Sequence, residues 1–467
     1  EYANLAAKRF AGTLFGTYDG KKYKATAFFS ANNHSHYENG GIQDTSYING
    51  SIQYPSYNIP VNINGYANFK HNQAFYNHQY SIGIERPIRI NPDSVNMEYV
   101  PVTIFAHTVR LDDMRKRYYE QSVEKDFYAN TYLPHTETND TASLLKLSNR
   151  VSVSMAEEFN KWLKFGLTAY IENDYLRYGY LVDSVLTHRN QSNTRVGGVL
   201  SKNQGDLLRY NITGELTFLG PKAGDMMLDG NLSSYFNLFK QKINLIAHGY
   251  VKRQNPSDFL NFYHSNHFRW QRNFAAMYKT RLGGTFAIPT LGFDFNLSVD
   301  NLTDLIYFDK DALPQQYNGN IQVVAANLKQ DFRVGSFALE NNVVYQLSSN
   351  QAVLPLPEIA LYHNLYYHGL WFKVLSMQIG ADVRYHTAYY APSYMPATGQ
   401  FFVQDKMKTG NYPVMNVYIN AHLKRTRFFI QYYHINQLFM KGDYYSMPYY
   451  PINPATLKMG LTWNFYD

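Results

Sequence analysis

The sequence predicts an all-β fold, a large antiparallel transmembrane β-barrel of about 18–20 strands. Three observations carry this. Apolar and polar residues alternate with period two along most of the chain; the connections between alternating stretches are by turns short and long; and no run of about 18 apolar residues is present to form a helical span. Hydrophobic residues make up 45% of the chain while mean hydropathy is -0.41, so the apolar side chains must be dispersed.

Taken in order, residues 9–30 read as a hairpin, RFAGTLFGTY and KKYKATAFFS about an Asp19-Gly20 turn. The Asn-, Ser-, Tyr- and Gly-rich stretch 31–74 reads as a long loop. A weaker strand pair is expected near 75–86 and 99–110. The charged stretch 111–142, with Asp112, Asp113, Arg115, Lys116 and Arg117, reads as another long connection. From 143 onward the alternation is dense, as where Met415, Val417, Ile419, Ala421 and Leu423 oppose Asn416, Tyr418, Asn420, His422 and Lys424.

The last eleven residues, LKMGLTWNFYD, alternate most clearly. Leu457, Met459, Leu461, Trp463 and Phe465 share one parity, and Lys458, Gly460, Thr462, Asn464 and Tyr466 the other. Roughly 9 to 11 residues suffice for a tilted strand to cross the apolar part of a bilayer, so this is expected to be a closing strand with its apolar set on lipid.

A soluble sandwich also alternates, so the connections decide. Short turns are expected near 157–160, 203–206, 239–241, 287–290, 334–335, 369–371 and 425–426. Longer ones fall near 174–193, 220–226, 254–269, 302–319, 348–357, 391–411 and 439–455. Tight periplasmic turns and larger external loops are the order of an outer-membrane barrel, and a Greek-key sandwich has no reason to keep it. The C-terminus is then expected on the periplasmic side. About 19 strands are visible, whereas bacterial single-chain barrels have even numbers, so one outward strand is expected ahead of the first hairpin. With no starting Met and no signal peptide at Glu1, the chain is expected to be processed or shortened at its beginning.

Composition excludes several classes. The absence of cysteine removes disulfide frameworks, thiolate metal sites and cysteine nucleophiles. The formal charge of +7 comes from scattered residues with no basic run, so no nucleic-acid partner is expected. His34 and His36 stand two apart in a predicted loop without a third ligand, which does not make a metal site. No P-loop, HExxH or nucleophile motif occurs, so neither a cofactor nor an enzymatic activity is expected. The 43 tyrosines suit headgroup girdles and a wet lumen wall.

The candidate functional residues are the polar-face charges Lys146, Arg150, Lys164, Glu172, Glu215, Lys242, Asp294, Glu340, Asp382, Arg384, Lys424 and Lys458. Such groups set a pore's field. Both signs occur, so at most mild ion selectivity is expected.

The opening AKRFAGTLFGTYDGKKYKATAFFSANN with ENGGI, and the ending YPVMNVYINAHLKRTRFFIQYYHINQ with YYPINPATLKMGLTWNFYD, resemble the putative porin family of the Bacteroidetes outer membrane. The ending is also similar to that of TonB-dependent receptors, although no plug-like domain is visible. The resemblance implies an outer-membrane barrel and carries over no catalytic residue and no defined substrate. Two functions follow as expectations. One is a passive channel for small hydrophilic solutes, in contact with outer-membrane lipids and lipopolysaccharide. The other is a closed barrel serving as a structural or accessory subunit beside other outer-membrane proteins or lipoproteins.

Overall fold

The computed structural model describes residues 2, 5–50, 54–91, 94–122, 126–133, 137–157, 165–205 and 207–465, without the side chains of 88–96. Nineteen strands form one antiparallel sheet. They are β1 (Ala7–Asp19), β2 (Tyr23–Glu38), β3 (Gly65–Asn91), β4 (Ser94–Glu120), β5 (Thr138–Met155), β6 (Gly166–Val182) and β7 (Val185–Lys202). Then come β8 (Arg209–Leu219), β9 (Met226–Leu238), β10 (Gln241–Gln254), β11 (Met277–Ile288), β12 (Phe293–Thr303) and β13 (Asn320–Val334). The last six are β14 (Phe337–Ser348), β15 (Ile359–Trp371), β16 (Leu375–His386), β17 (Val414–Leu423), β18 (Thr426–Tyr433) and β19 (Thr456–Trp463). Each strand from β2 to β18 pairs with the one before and the one after it, a pure meander. Among the described residues no helix is long and apolar enough to cross a membrane.

Period two is what positions the site. Following the register from strand to strand carries one parity around the sheet: Lys146 opposite Asp112, Glu172 opposite Arg150, Glu215 opposite Gly197, and Asp382 opposite Asn364. The other parity gives an almost unbroken exposed apolar surface, including Leu14, Val151, Leu167, Leu228, Leu282 and Leu365. In water such a surface would be untenable over this area, so it faces lipid. Leu457, Met459, Leu461, Trp463 and Phe465 lie on it, with Met459 70% exposed. Met459→Lys should therefore destabilise the inserted barrel by about 2 to 4 kcal/mol, the cost of a lysine near the midplane of the lipid face. Lys458→Met, one residue away on the inner face, should cost well under half of that. Urea titration of the heat-modifiable folded band measures both.

Several expected loops are strand. Residues 31–38 and 65–74 belong to β2 and β3, so the connection is 39–64 rather than 31–74, and His34 and His36 stand on a strand. The charged residues 111–120 lie in β4, leaving 121–137 as connection. The predicted loop 174–193 is no loop: β6 and β7 meet at Asp183-Ser184, two residues with φ of 50° and 61°. The cause is common to all three. Where strands continue past the bilayer the outer face carries exposed polar residues such as Arg117 and Arg177, while inner residues such as Tyr118 and Tyr178 are buried beneath the connections. The lipid-to-water alternation then no longer marks the strand, and the backbone ladder runs on without it. The expected turn near 157–160 lies mostly outside the described residues.

β1 and β19 both run from the long-connection end toward the short-turn end. Among the described residues neither pairs on its outer side, and a direct β1–β19 pairing would be parallel. The sheet nevertheless curls until its first and last connections touch: Ile42 N donates to Tyr449 O at 2.8 Å, and the Tyr2 hydroxyl to Ile452 O at 3.4 Å. Buried apolar side chains concentrate at this same end, in clusters around Tyr118, Tyr128 and Trp270, around Ile42, Ile59 and Tyr445, and around Ile321, Val323 and Val353.

Candidate functional site: a charged lumen wall under knitted loops

Four neighbouring strands, β5 to β8, supply the densest part of the wall. Arg195 on β7 reaches Glu172, Asp174 at 2.9 Å and Glu215 at 3.9 Å. Arg150 on β5 pairs with Glu172 and lies 4.1 Å above the Tyr170 ring, while Lys146 approaches Asp174 at 3.3 Å. The Tyr170 hydroxyl donates to Glu215. Its ring can lie flat on β7 only because residue 197 is glycine, whose Cβ would sit 2.3 Å from the ring. Glu172 and Asp174 are buried, so their charges depend on these partners.

Farther round, Arg281 grips Asp300 with two bonds of 2.6 and 3.0 Å. Glu340 accepts from Asn364 at 3.0 Å and Tyr366 at 3.1 Å, and Asp382 accepts from Asn416 at 2.8 Å. Arg384 and Lys458 lie over the rings of Tyr362 and Tyr433, at 5.6 and 4.1 Å. Asp294 stands opposite Lys329 in the ladder, and Lys242 opposite Asn237 near the short-turn end. Ten of the twelve sequence-selected charges thus stand on one face of the wall, with equal numbers of each sign. Lys424 does not: it sits in the Lys424-Arg425 turn between β17 and β18 with φ of 52°, because the strand ends one residue earlier than its alternation suggests. Lys164 lies outside the described residues. Arg195, Asp174, Arg281 and Asp300 were not selected, though they share parity with those that were; the signal is cross-strand register, which alternation along single strands does not give.

The long connections fold over the mouth and hold one another. Tyr132 N donates to Asn266 O at 3.0 Å, and the Tyr128 and His267 rings stack at 3.8 Å. Val403 N donates to Phe308 O at 3.0 Å, and Lys310 pairs with Asp405. The short hairpin Ser393–Met395 with Gln400–Phe402 comes down on the wall, where Lys116 Nζ donates to Ala397 O at 2.7 Å and the Tyr394 hydroxyl to Glu38 at 2.7 Å.

Residues of the C-terminal motif act as a corner. Asn436 accepts from Met415 N at 2.9 Å and donates to Pro413 O at 2.7 Å, while Gln437 accepts from Ala455 N at 2.5 Å. His434, fully buried with φ of 55°, donates from Nδ1 to Asn453 O at 2.9 Å and accepts the Tyr412 hydroxyl at Nε2, 3.0 Å away. Burial holds this imidazole below its usual pKa. Since the folded value lies under the unfolded one, its contribution to stability is complete above about pH 6.5 and is lost as the pH falls. Acidification should therefore lower the protection factors of amides in 434–455 ahead of those in the sheet, and His434→Gln should flatten that dependence.

Among the described residues no cluster of three or more His, Cys, Asp or Glu could hold a metal ion. The model of a family described as "Putative porin" matches residues 1–467. No curated protein matches the chain. Among solved structures, the ferric-catecholate import receptor Fiu from K12 E. coli is similar at 12% identity and a TM-score of 0.57, over 93% of this chain and 71% of that one. The ferric yersiniabactin uptake receptor FyuA from Yersinia pestis gives 10% and 0.54 over 99% and 69%. The copper transporter OprC gives 11% and 0.53 over 98% and 79%. At these identities the likeness is one of fold.

Proposed function

From the premise that the chain belongs to the Putative porin family, and is an outer-membrane transport β-barrel, we propose that it is a passive channel for small hydrophilic solutes. The observation that carries this is the polar inner face, which continues around the described strands with equal numbers of the selected charges of each sign, many of them paired across strands. A wall built so stays hydrated without presenting a net field of one sign. The strand number also lies between the 16–18 of open porins and the 22 of plugged transporters. The short turns and the C-terminus face the periplasm, the knitted loops face outward among lipopolysaccharide, and the chain performs no catalysis.

Single-channel recording of the full chain in a planar bilayer tests this. Reproducible conductance steps are expected, with a reversal potential under a salt gradient showing at most mild preference between anions and cations. The knitted loops favour one second reading, a closed barrel acting as an accessory subunit of a larger outer-membrane assembly. A correctly inserted, heat-modifiable but silent barrel, copurifying with a stoichiometric partner, would replace the first reading with the second.

A further inference from the structure

Beneath the loops, against the inner face of β1–β5, lies a cavity of about 1020 Å³. Its aromatic side is rigid. Tyr263 and Trp270 stack at 4.6 Å on the small hairpin of the 255–276 connection, Phe308 meets Trp270 edge-on at 6.0 Å, and Phe69 closes the opposite flank. Trp270 is fixed further by donating its Nε1–H to Phe259 O at 3.1 Å.

The polar side centres on one fixed positive charge, Arg9. Arg9 lines the cavity and, among the described residues, makes no hydrogen bond and no ion pair, unlike Arg150, Arg195 and Arg281. Lys116 spends one of its three donors on Ala397 O. His71 is engaged by Asp112 at 2.9 Å. No Asp or Glu lines the cavity. That absence discriminates against cations, which need negative charge from a site, whereas this one offers a positive charge, neutral polar groups such as Asn32, Ser143 and Gln400, and flat apolar surfaces.

We propose that this cavity binds organic anions carrying an aromatic ring, aromatic carboxylates being the class. The ring lies among Phe69, Trp270 and Phe308, and the carboxylate accepts a forked pair of hydrogen bonds from the Arg9 guanidinium. The inference deepens the channel reading by naming a solute class for its lumen, and it rests on that reading only in requiring that solutes reach the site.

Calorimetric titration of the full chain in lipid nanodiscs tests it, with 1-naphthoate and its uncharged isostere 1-naphthamide as probes. Naphthoate should bind at least about tenfold more tightly than the amide, the discrimination of a charge-assisted bidentate contact. Arg9→Gln should remove that preference while leaving amide binding unchanged, and Lys373→Gln, in the short turn between β15 and β16, should change neither. Equal affinity for the two probes, an unchanged preference in Arg9→Gln, or no binding to heat-modifiable protein overturns the proposal. Conductance is read separately: a silent barrel that still prefers naphthoate sinks the channel and keeps the site, whereas a conducting barrel without the preference does the reverse.

Discussion

Excising residues 393–402, the hairpin that descends from the connection between β16 and β17, should raise single-channel conductance by at least about threefold, since an ion's passage is limited by the narrowest, least hydrated part of its path. That hairpin holds the wall through Lys116 and Glu38, and the flanking Val403 ties the same connection to Phe308. Its Met395, Ala397 and Phe402 complete the apolar cluster around Tyr118 and Trp270. Removing it takes away both the obstruction and the contacts that keep neighbouring connections inward. The strands on either side retain their own ladder, so folding is preserved and heat-modifiability checks this. Conductance that is unchanged in a folded deletion would mean that the constriction lies elsewhere. In naphthoate titrations the same variant should also bind more weakly, because the hairpin's Thr398 and Gln400 line the cavity.

Arg195→Met should be the most damaging single change in the wall. The guanidinium serves Glu172, Asp174 and Glu215 together, and two of these carboxylates are buried. Breaking a buried pair from one side costs about 3 to 5 kcal/mol; the lumen side of the cluster is wet, so about 2 to 4 is expected here. Arg195→Lys should recover only part of the loss, because an ammonium cannot present the planar fork that reaches three acceptors. The unmatched carboxylates should also shift the channel toward cations, visible as a displaced reversal potential. If stability falls and the reversal potential does not move, the cluster supports the wall without facing the conducting path.

The fold was legible wherever one face of a strand meets lipid and the other water. That contrast writes period two into the sequence, as in the final strand, where Leu457, Met459, Leu461 and Trp463 share the exposed face. It fails in 174–193 and in 111–120, where the outer face is polar and inner residues such as Tyr118 and Tyr178 are buried beneath the connections. At the turns it marked the place without the geometry: the turn expected at 239–241 is Phe239-Lys240, and the one expected at 369–371 falls a little later at Phe372-Lys373. Their φ values are 49° and 64°, and 51° and 63°, angles that Asn-Gly would announce and these residue types do not. At the site, parity placed the wall charges, whereas their pairing needed register. The loop cap was beyond reach, since it depends on contacts such as Trp270 with Phe308 that no local pattern encodes.

The contact of Ile42 with Tyr449 joins the two stretches that carried the family resemblance, ENGGI and YYP. Gly41, with φ of 85°, lets the chain come so near that a Cβ there would lie 2.9 Å from Tyr449 Cβ. Every ladder in the sheet joins neighbours in the chain, while this contact closes a loop spanning nearly its whole length. Loop-closure entropy rises slowly with length, but such a contact gains nothing until the intervening strands have been laid down. It should be the last tertiary interaction to form and the first to be released, so its protection from exchange is a clock for the completion of barrel assembly.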